Sequence, residues 1–300
     1  MRFSSRNENV RGPYLRINES FEPLFLNGGL LISILNSESL NQFHRDGYVI
    51  APSFFDKTEV RALQKEVHRF TTSGIFKNVS TDGDGETPSS ENVNLQLIPL
   101  HDKSMLIRSL PFEKKVVDAI SYLIGVPAVL HLDQMFLKPA KYGVGTSWHQ
   151  DNAYFKIANP LGGTAMWVAI YDATIANGTI CVIPGSHEEE YEHFRDPNSN
   201  HHIRCNVPEE RSAPIELKAG GVVFFCYGTA HCTMANHTNQ DRAGMAFHFL
   251  NSKFIRNEQK TEKRPVISGP TNSHGEQEYG SSQEGRWRQE IATILSNQTV

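Results

Sequence analysis

The sequence predicts a mainly β protein, an antiparallel jelly roll or barrel buttressed on one side by N-terminal helices. Three observations predict it. Helix-period apolar spacing is confined to the first 125 or so residues. From Ala128 onward the apolar residues come in short, β-branched or aromatic runs bounded by Gly, Pro or Asn, with a period of two. No helix-period segment of good quality separates those runs, which argues against a parallel α/β sheet.

The first helix is expected after Ser39, where "SLNQ" fits a capping box, and Gly47 stops it before the strand "YVIAP". Asp56 with Glu59 offers a second start. Val60, Leu63, Val67 and Phe70 then share one face, and Gly74 ends the helix. Residues 77–92, "KNVSTDGDGETPSSEN", read as a polar loop. A third helix begins near Pro111, carries Val116, Val117, Ile120 and Leu123 inward, and ends at Gly125. The strands follow: "AVLHLDQMFLKPA", "TAMWVAIYDA", "GTICVIPGS", "GGVVFFCYG" and "GMAFHFLNS". The stretch 188–213 between two of them is polar and reads as a lid.

Three segments are expected: an extension over 1–35, one domain over 36–255, and a polar C-terminal tail over 256–300. A short helix around Trp287 to Leu295 would close the tail. The chain has 300 residues and a formal charge of −4. No basic stripe suggests nucleic acid, and nothing calls for an anionic membrane. The N-terminal stretch has no uninterrupted apolar core, so no secretory signal is expected. The four cysteines form no CxxC pair and no disulfide framework, which points to a reducing cytoplasm.

The chemistry centres on "SWHQDNAYF". His149 and Asp151 stand at i and i+2, and alternation along a strand would turn both to the same face. Alone, they read as a hydrogen-bonded pair. A third ligand is expected in His231, where the strand "GGVVFFCYG" should have ended. Two histidines and one carboxylate leave half of an octahedron open, the arrangement of non-haem Fe(II) oxygenases. A keto-acid co-substrate would need a cation for its far carboxylate. Arg242, eleven residues after His231, can supply that guanidinium, and Thr233 a hydroxyl.

"WHQDNAYF", "AMWVAI", "NGTICVIPGSH" and "AHCTMANHTNQDR" resemble the phytanoyl-CoA dioxygenase family of Fe(II)/2-oxoglutarate oxygenases, over roughly residues 40–252. The resemblance implies a cupin-like double-stranded β-helix, with His149, Asp151 and His231 holding Fe(II). Arg242 and Thr233 would hold 2-oxoglutarate. Trp167 and Gln134 match positions lining the co-substrate pocket, Gln150 contributes as well, and Asn94 or Gln96 is a further pocket contact. It implies O2-dependent hydroxylation of a small molecule with release of succinate and CO2. Relatives that halogenate lack the carboxylate that Asp151 keeps. Phe136, Phe155 and Phe247 would wall the site off from water.

The bland alternatives are specific. Arg242 could pair with Asp241 or Glu258 at the surface. Trp167 could be core packing. His187 could only fix the "PGSH" turn. His237 reads as exposed, and His248 faces away from Phe247 and Phe249. Arg195, His202 and Arg204 read as a solvated loop face that could meet an anion. Lys138, Lys141 and Tyr142 line an entrance or cap a strand end. The competing function is a catalytically silent binding protein on the same scaffold.

Overall fold

A computed structural model of the chain describes residues 35–256 and 264–296. The helices and strands run in the order α1 (Ser37–Asp46), β1 (Tyr48–Ala51), α2 (Lys57–Thr72), β2 (Lys77–Asn78), β3 (Leu95–Leu97), α3 (Met105–Ser109) and α4 (Lys114–Ile124). Then follow β4 (Ala128–Lys138), β5 (Thr146–His149), α5 (Asn152–Phe155), β6 (Gly163–Ala169), β7 (Ile180–Val182), β8 (His193–Arg195), β9 (Ile203–Cys205) and β10 (Ala213–Ile215). The chain continues through β11 (Val222–Cys226), β12 (His231–Thr233), β13 (Arg242–Asn251), β14 (Val266–Ser268), α6 (Glu276–Tyr279) and α7 (Arg286–Ser296).

The strands form an antiparallel jelly roll, the mainly β architecture the period-two runs predict. The large sheet has the order β1-β11-β6-β13-β4-β3-β2, with β14 also pairing β4, and the smaller one has the order β10-β7-β12-β5. Alternation along the large sheet sorts its side chains into two layers. Met166, Val168, Phe224, Met245, Phe247 and Phe249 pack against the helices. Ala165, Trp167, Val223, Phe225 and Ala246 face Ile180, Val182 and Ile215 of the small sheet. The functional residues lie in the second layer, between the sheets.

The helix signals hold for α2, while α1 takes a different cap, the helix expected near Pro111 begins at Lys114 after a 3-10 turn, and α3 was not expected. Asp56 caps α2 with Glu59 in a reciprocal box, and Val60, Leu63, Val67 and Phe70 are buried. In α1 the cap is Asn36, and Ser39 is its partner three residues on rather than the cap itself. Gly47 ends that helix at φ +80°, a conformation costly for any residue with a Cβ.

The C-terminal segment is not a free polar tail. β14 pairs with β4, and Trp287 is fully buried, donating to Glu59 at 2.9 Å. The lid stretch is also more integrated than its polarity suggests: β8 pairs β9, and β10 extends the small sheet. The extension over 1–35, apart from the buried Leu35, lies outside the described residues, as does Glu258.

Candidate active site

The site grows from the pairing of β5 with β12. His149 and His231 are Cα partners across that ladder, and their rings stand 4.2 Å apart between centroids. Each ring is fixed by its own strand. His149 Nδ1 meets the Ser147 carbonyl at 2.8 Å, and His231 Nδ1 meets the Thr229 carbonyl at 2.9 Å. A carbonyl only accepts, so Nδ1 carries the hydrogen in both rings and Nε2 keeps its lone pair for a ligand.

Asp151 arrives by a route other than strand alternation. β5 ends at His149, and Asp151 has helical dihedrals at the start of the single turn α5. The turn, not the pleat, brings its carboxylate round: Oδ1 lies 3.8 Å from Nε2 of both His149 and His231. One ligand atom from each of the three residues falls within 4.8 Å of the others, the span a single cation can bridge. Burial would raise the Asp151 pKa, but the surrounding imidazoles of His248, His231 and His149 prevail and hold it below the ordinary carboxylate range. Burial, then His149, push His231 down to about 3, so it is a neutral donor. An ionised carboxylate and neutral imidazoles are the protonation states a metal requires.

Arg242 and Gln134, two of the residues expected at the co-substrate, lie on β13 and β4. Arg242 is fully buried, so neither Asp241 nor the surface accounts for it. Its Nη2 donates to the Gly178 carbonyl, while Nε and Nη1 have no partner among the described residues. Burial alone lowers its pKa to about 9. The guanidinium sits 5.7 Å from the Trp167 ring, so Trp167 packs in the inner layer and supports the cation at the same time. A buried guanidinium with two orphaned nitrogens fits a bound carboxylate. Thr233, on β12 of the small sheet, lines a cavity of about 450 Å³ together with Asn94, Thr146 and Ser147. Gln134 accepts from Gln96 at 2.8 Å, a cross-strand amide pair between β4 and β3. Asn94 keeps a buried, unpartnered Oδ1.

Several expected residues have other work. Gln150 does not face the co-substrate. Its Nε2 donates to the carbonyls of Ser186, Glu189 and Gly228, and its Oε1 accepts from Tyr191 N–H. It binds the lid to the metal strand. Phe247 lies in the helix-facing layer and walls off nothing at the site. Phe155 packs on His248 and Tyr227, and Phe136 against His202. Arg195 and Arg204 are exposed, as a solvated loop face requires, although Arg195 also donates to the carbonyls of Gly85, Asn200 and His202; His202 itself is buried. His187 does fix its turn, meeting the His44 carbonyl at 3.0 Å.

Two residues emerge that the motif did not place. His248, beyond Arg242 on β13, points its Nε2 at Asp151 Oδ2. Lys138, far from capping an exposed strand end, is fully buried opposite Arg242.

The sequence profile of the phytanoyl-CoA dioxygenase family matches residues 43–244. The chain belongs to the phytanoyl-CoA dioxygenase family. It is 24% identical over 258 residues to the phytanoyl-CoA dioxygenase of Arabidopsis thaliana, covering 73% of this chain and 89% of that protein. It is 22% identical over 243 residues to the ectoine dioxygenase of Bordetella parapertussis, covering 75% and 78%. Among solved structures, it superposes on the α-ketoglutarate-dependent carbocyclase SnoK from nogalamycin biosynthesis with a TM-score of 0.61, at 18% identity and covering 83% of this chain and 92% of that one. EctD from S. alaskensis, solved with 2-oxoglutarate and 5-hydroxyectoine, gives 0.60 at 19% identity, covering 84% and 90%. These superpositions establish the jelly-roll fold. Family membership and the His-Asp-His donor set make this chain an iron- and 2-oxoglutarate-dependent dioxygenase.

Proposed function

We propose that this family member hydroxylates an unactivated C–H bond of a small polar molecule, with His149, Asp151 and His231 as its iron ligands. The observation that carries the reading is the convergence of His149 Nε2, Asp151 Oδ1 and His231 Nε2 at one point. When bound, Fe(II) couples the decarboxylation of 2-oxoglutarate by O2 to oxidation of the substrate.

The chain's own residues do the rest. Arg242 offers Nε and Nη1 to the far carboxylate of 2-oxoglutarate, and Thr233 adds its hydroxyl. Trp167 supports that guanidinium from behind. Gln134 borders the same inner face through its pair with Gln96. The 188–213 stretch, bound to the metal strand by Gln150 and by Gln150 N–H to His193 Nε2 at 3.0 Å, excludes bulk water.

A polar cavity adjoins the metal strand, lined by Thr146, Ser147 and Trp148 but by none of His149, Asp151, His231 and Arg242, and its wall supports a polar substrate. Ser80, Thr81, Asn94, Ser147 and Ser199 line it with Asp196, and no Lys or Arg is among its lining residues. A polyanionic CoA thioester would find no cation there. Among the described residues no helix is long and apolar enough to cross a membrane. Four buried free cysteines fit a reducing cytoplasm.

The test is anaerobic reconstitution with Fe(II) and 2-oxoglutarate, then O2, with succinate followed by mass spectrometry. Slow substrate-free succinate release that disappears in His149→Ala is the expected result. Absence of both iron binding and succinate would refute the assignment. An acyl-CoA that accelerates succinate release would refute the polar-substrate reading alone.

A further inference from the structure

Cys181 and Cys232 are direct partners on neighbouring antiparallel strands, β7 and β12. Partners on one rung turn their side chains to the same face, and these two thiols interact with each other directly. Both are free and buried. The bonds on either side fix the kind of rung. Ile183 N–H donates to the Ala230 carbonyl at 2.9 Å, and Met234 N–H donates to the Thr179 carbonyl at 3.2 Å. Hydrogen-bonded rungs recur at every second residue, so Cys181 and Cys232 form one, with Cα atoms about 5.5 Å apart. A disulfide spans Cα separations of about 4.4–6.8 Å. The rung can therefore be bridged without moving either strand.

The other two thiols are placed differently. The strand partner of Cys205 is His193, and that of Cys226 is Thr164. Cys232 alone of the four lines the cavity of about 450 Å³, so a small uncharged oxidant has a route to its sulfur. It also lies between His231 and Thr233, where the register of β12 against β5 shifts. The segment from Cys181 to Cys232 carries the whole 188–213 stretch.

We propose that Cys181 and Cys232 form an oxidative modification site: hydrogen peroxide converts the rung into a cross-strand disulfide that clamps β12, and His231 with it, to β7. Cys232 Sγ takes one oxygen of the peroxide. The O–O bond breaks, the S–O bond of a sulfenic acid forms, and the other oxygen leaves with the thiol proton as water. Cys181 Sγ then attacks that sulfur. The S–S bond forms, the S–O bond breaks, and the hydroxyl leaves with the Cys181 proton as a second water. Two electrons pass from the sulfurs to the peroxide. In a reducing cytoplasm such a bond is transient, and thiol exchange reverses it.

The experiment uses the full, metal-free chain with hydrogen peroxide as the probe. The intact mass is expected to fall by two hydrogens, and peptide mapping without reductant to find one link, Cys181 to Cys232. Cys205 and Cys226 remain open to alkylation after unfolding, and a phosphine reductant restores the starting mass. Cys181→Ser is expected to leave on Cys232 a sulfenic acid that dimedone traps; the wild-type map stands by itself if that variant does not fold. Urea unfolding reads the clamp: closing a loop of about 50 residues raises the midpoint of the oxidised protein, and reductant returns it. An unchanged midpoint, a link between any other pair, or wild-type oxidation that stops at one sulfur overturns the proposal. So does a folded chain whose four thiols all resist peroxide.

Discussion

His248 Nε2 stands 3.3 Å from Asp151 Oδ2, while Oδ1 of the same carboxylate stands 3.8 Å from each of the two ligand histidines. The two oxygens are thus divided between two tasks. Oδ1 faces the point where the imidazole lone pairs meet, and Oδ2 faces a ring held on the large sheet. Oδ2 makes no hydrogen bond of good geometry among the described residues, so the His248 ring bounds the carboxylate by close contact. Because α5 is only one turn long, Asp151 has little local structure to orient it, and the ring on β13 supplies the constraint from across the barrel.

We predict that His248→Ala weakens Co(II) binding by about 10–100-fold, the usual effect of losing an outer partner of a metal ligand. His248→Gln, which keeps a donor, should recover much of it. Calorimetric titration of the metal-free protein measures both. Equal affinity in the wild type and the alanine variant would mean that Oδ2 needs no partner.

Arg242→Ala should leave Co(II) affinity intact and weaken 2-oxoglutarate by about 2–5 kcal/mol, since a charge-assisted contact disappears while the triad stays. Gly178 gives an independent handle. Its carbonyl anchors Arg242, its φ is +80°, and a Cβ there would lie 2.1 Å from the Met234 carbonyl oxygen. Gly178→Ala should therefore lower both stability and 2-oxoglutarate affinity. Calorimetry and thermal melting separate the two effects. If Arg242→Ala loses metal and co-substrate together, the arginine is structural.

The triad was legible because its signals are local: His149 and Asp151 within three residues, and His231 at a strand end. What the sequence obscured has physical causes. Every residue of β13 is buried, on one side by helices and on the other by the small sheet. Alternation then says that His248 opposes Phe247 and Phe249 without saying which side is the site. That symmetry misplaced Phe247 and hid His248. Lys138 was read as lining an entrance or capping a strand end because lysines are seldom fully buried, and only the fold shows it enclosed opposite Arg242. The C-terminal segment looked like a tail because its three-residue strand and its Trp287 anchor are short signals in polar surroundings. The helices of the buttress, by contrast, had both period and caps.

Gln150→Ala should loosen the lid rather than the co-substrate. Removing the amide takes the donor from the Glu189 and Gly228 carbonyls and the acceptor from the Tyr191 N–H, at a cost of about 1–3 kcal/mol, while the Ser186 carbonyl keeps the Glu189 N–H. Faster hydrogen exchange at Tyr191, with 2-oxoglutarate affinity of the Co(II) form preserved, is the expected pair of results. Unchanged exchange with lost affinity would return Gln150 to the pocket.

The metal-free protein should lose stability as the pH falls below the ordinary histidine range. Burial, and then His201, hold His202 at about 3, while burial and then Arg264 do the same for His131. In the unfolded chain both titrate near the ordinary value of about 6.5. Between those limits the unfolded state binds protons that the folded state refuses. Stability is therefore fully present above the unfolded value and falls with decreasing pH, by about 1.4 kcal/mol per pH unit for each group. His101, whose pKa is raised chiefly by its hydrogen bond to Asp133, works in the opposite direction: its contribution is fully present below the unfolded value and is lost as the pH rises through the folded one. Urea unfolding of the apo wild type and of His202→Asn at pH 7 and pH 5 isolates one group. The variant should show a smaller loss between the two conditions by about 2 kcal/mol, somewhat less than the full two-unit figure because the unfolded imidazole is still titrating at the upper pH limit. Identical pH dependence in both proteins would mean that His202 accepts its proton in the folded state and that the ring is not sealed from water beneath the lid.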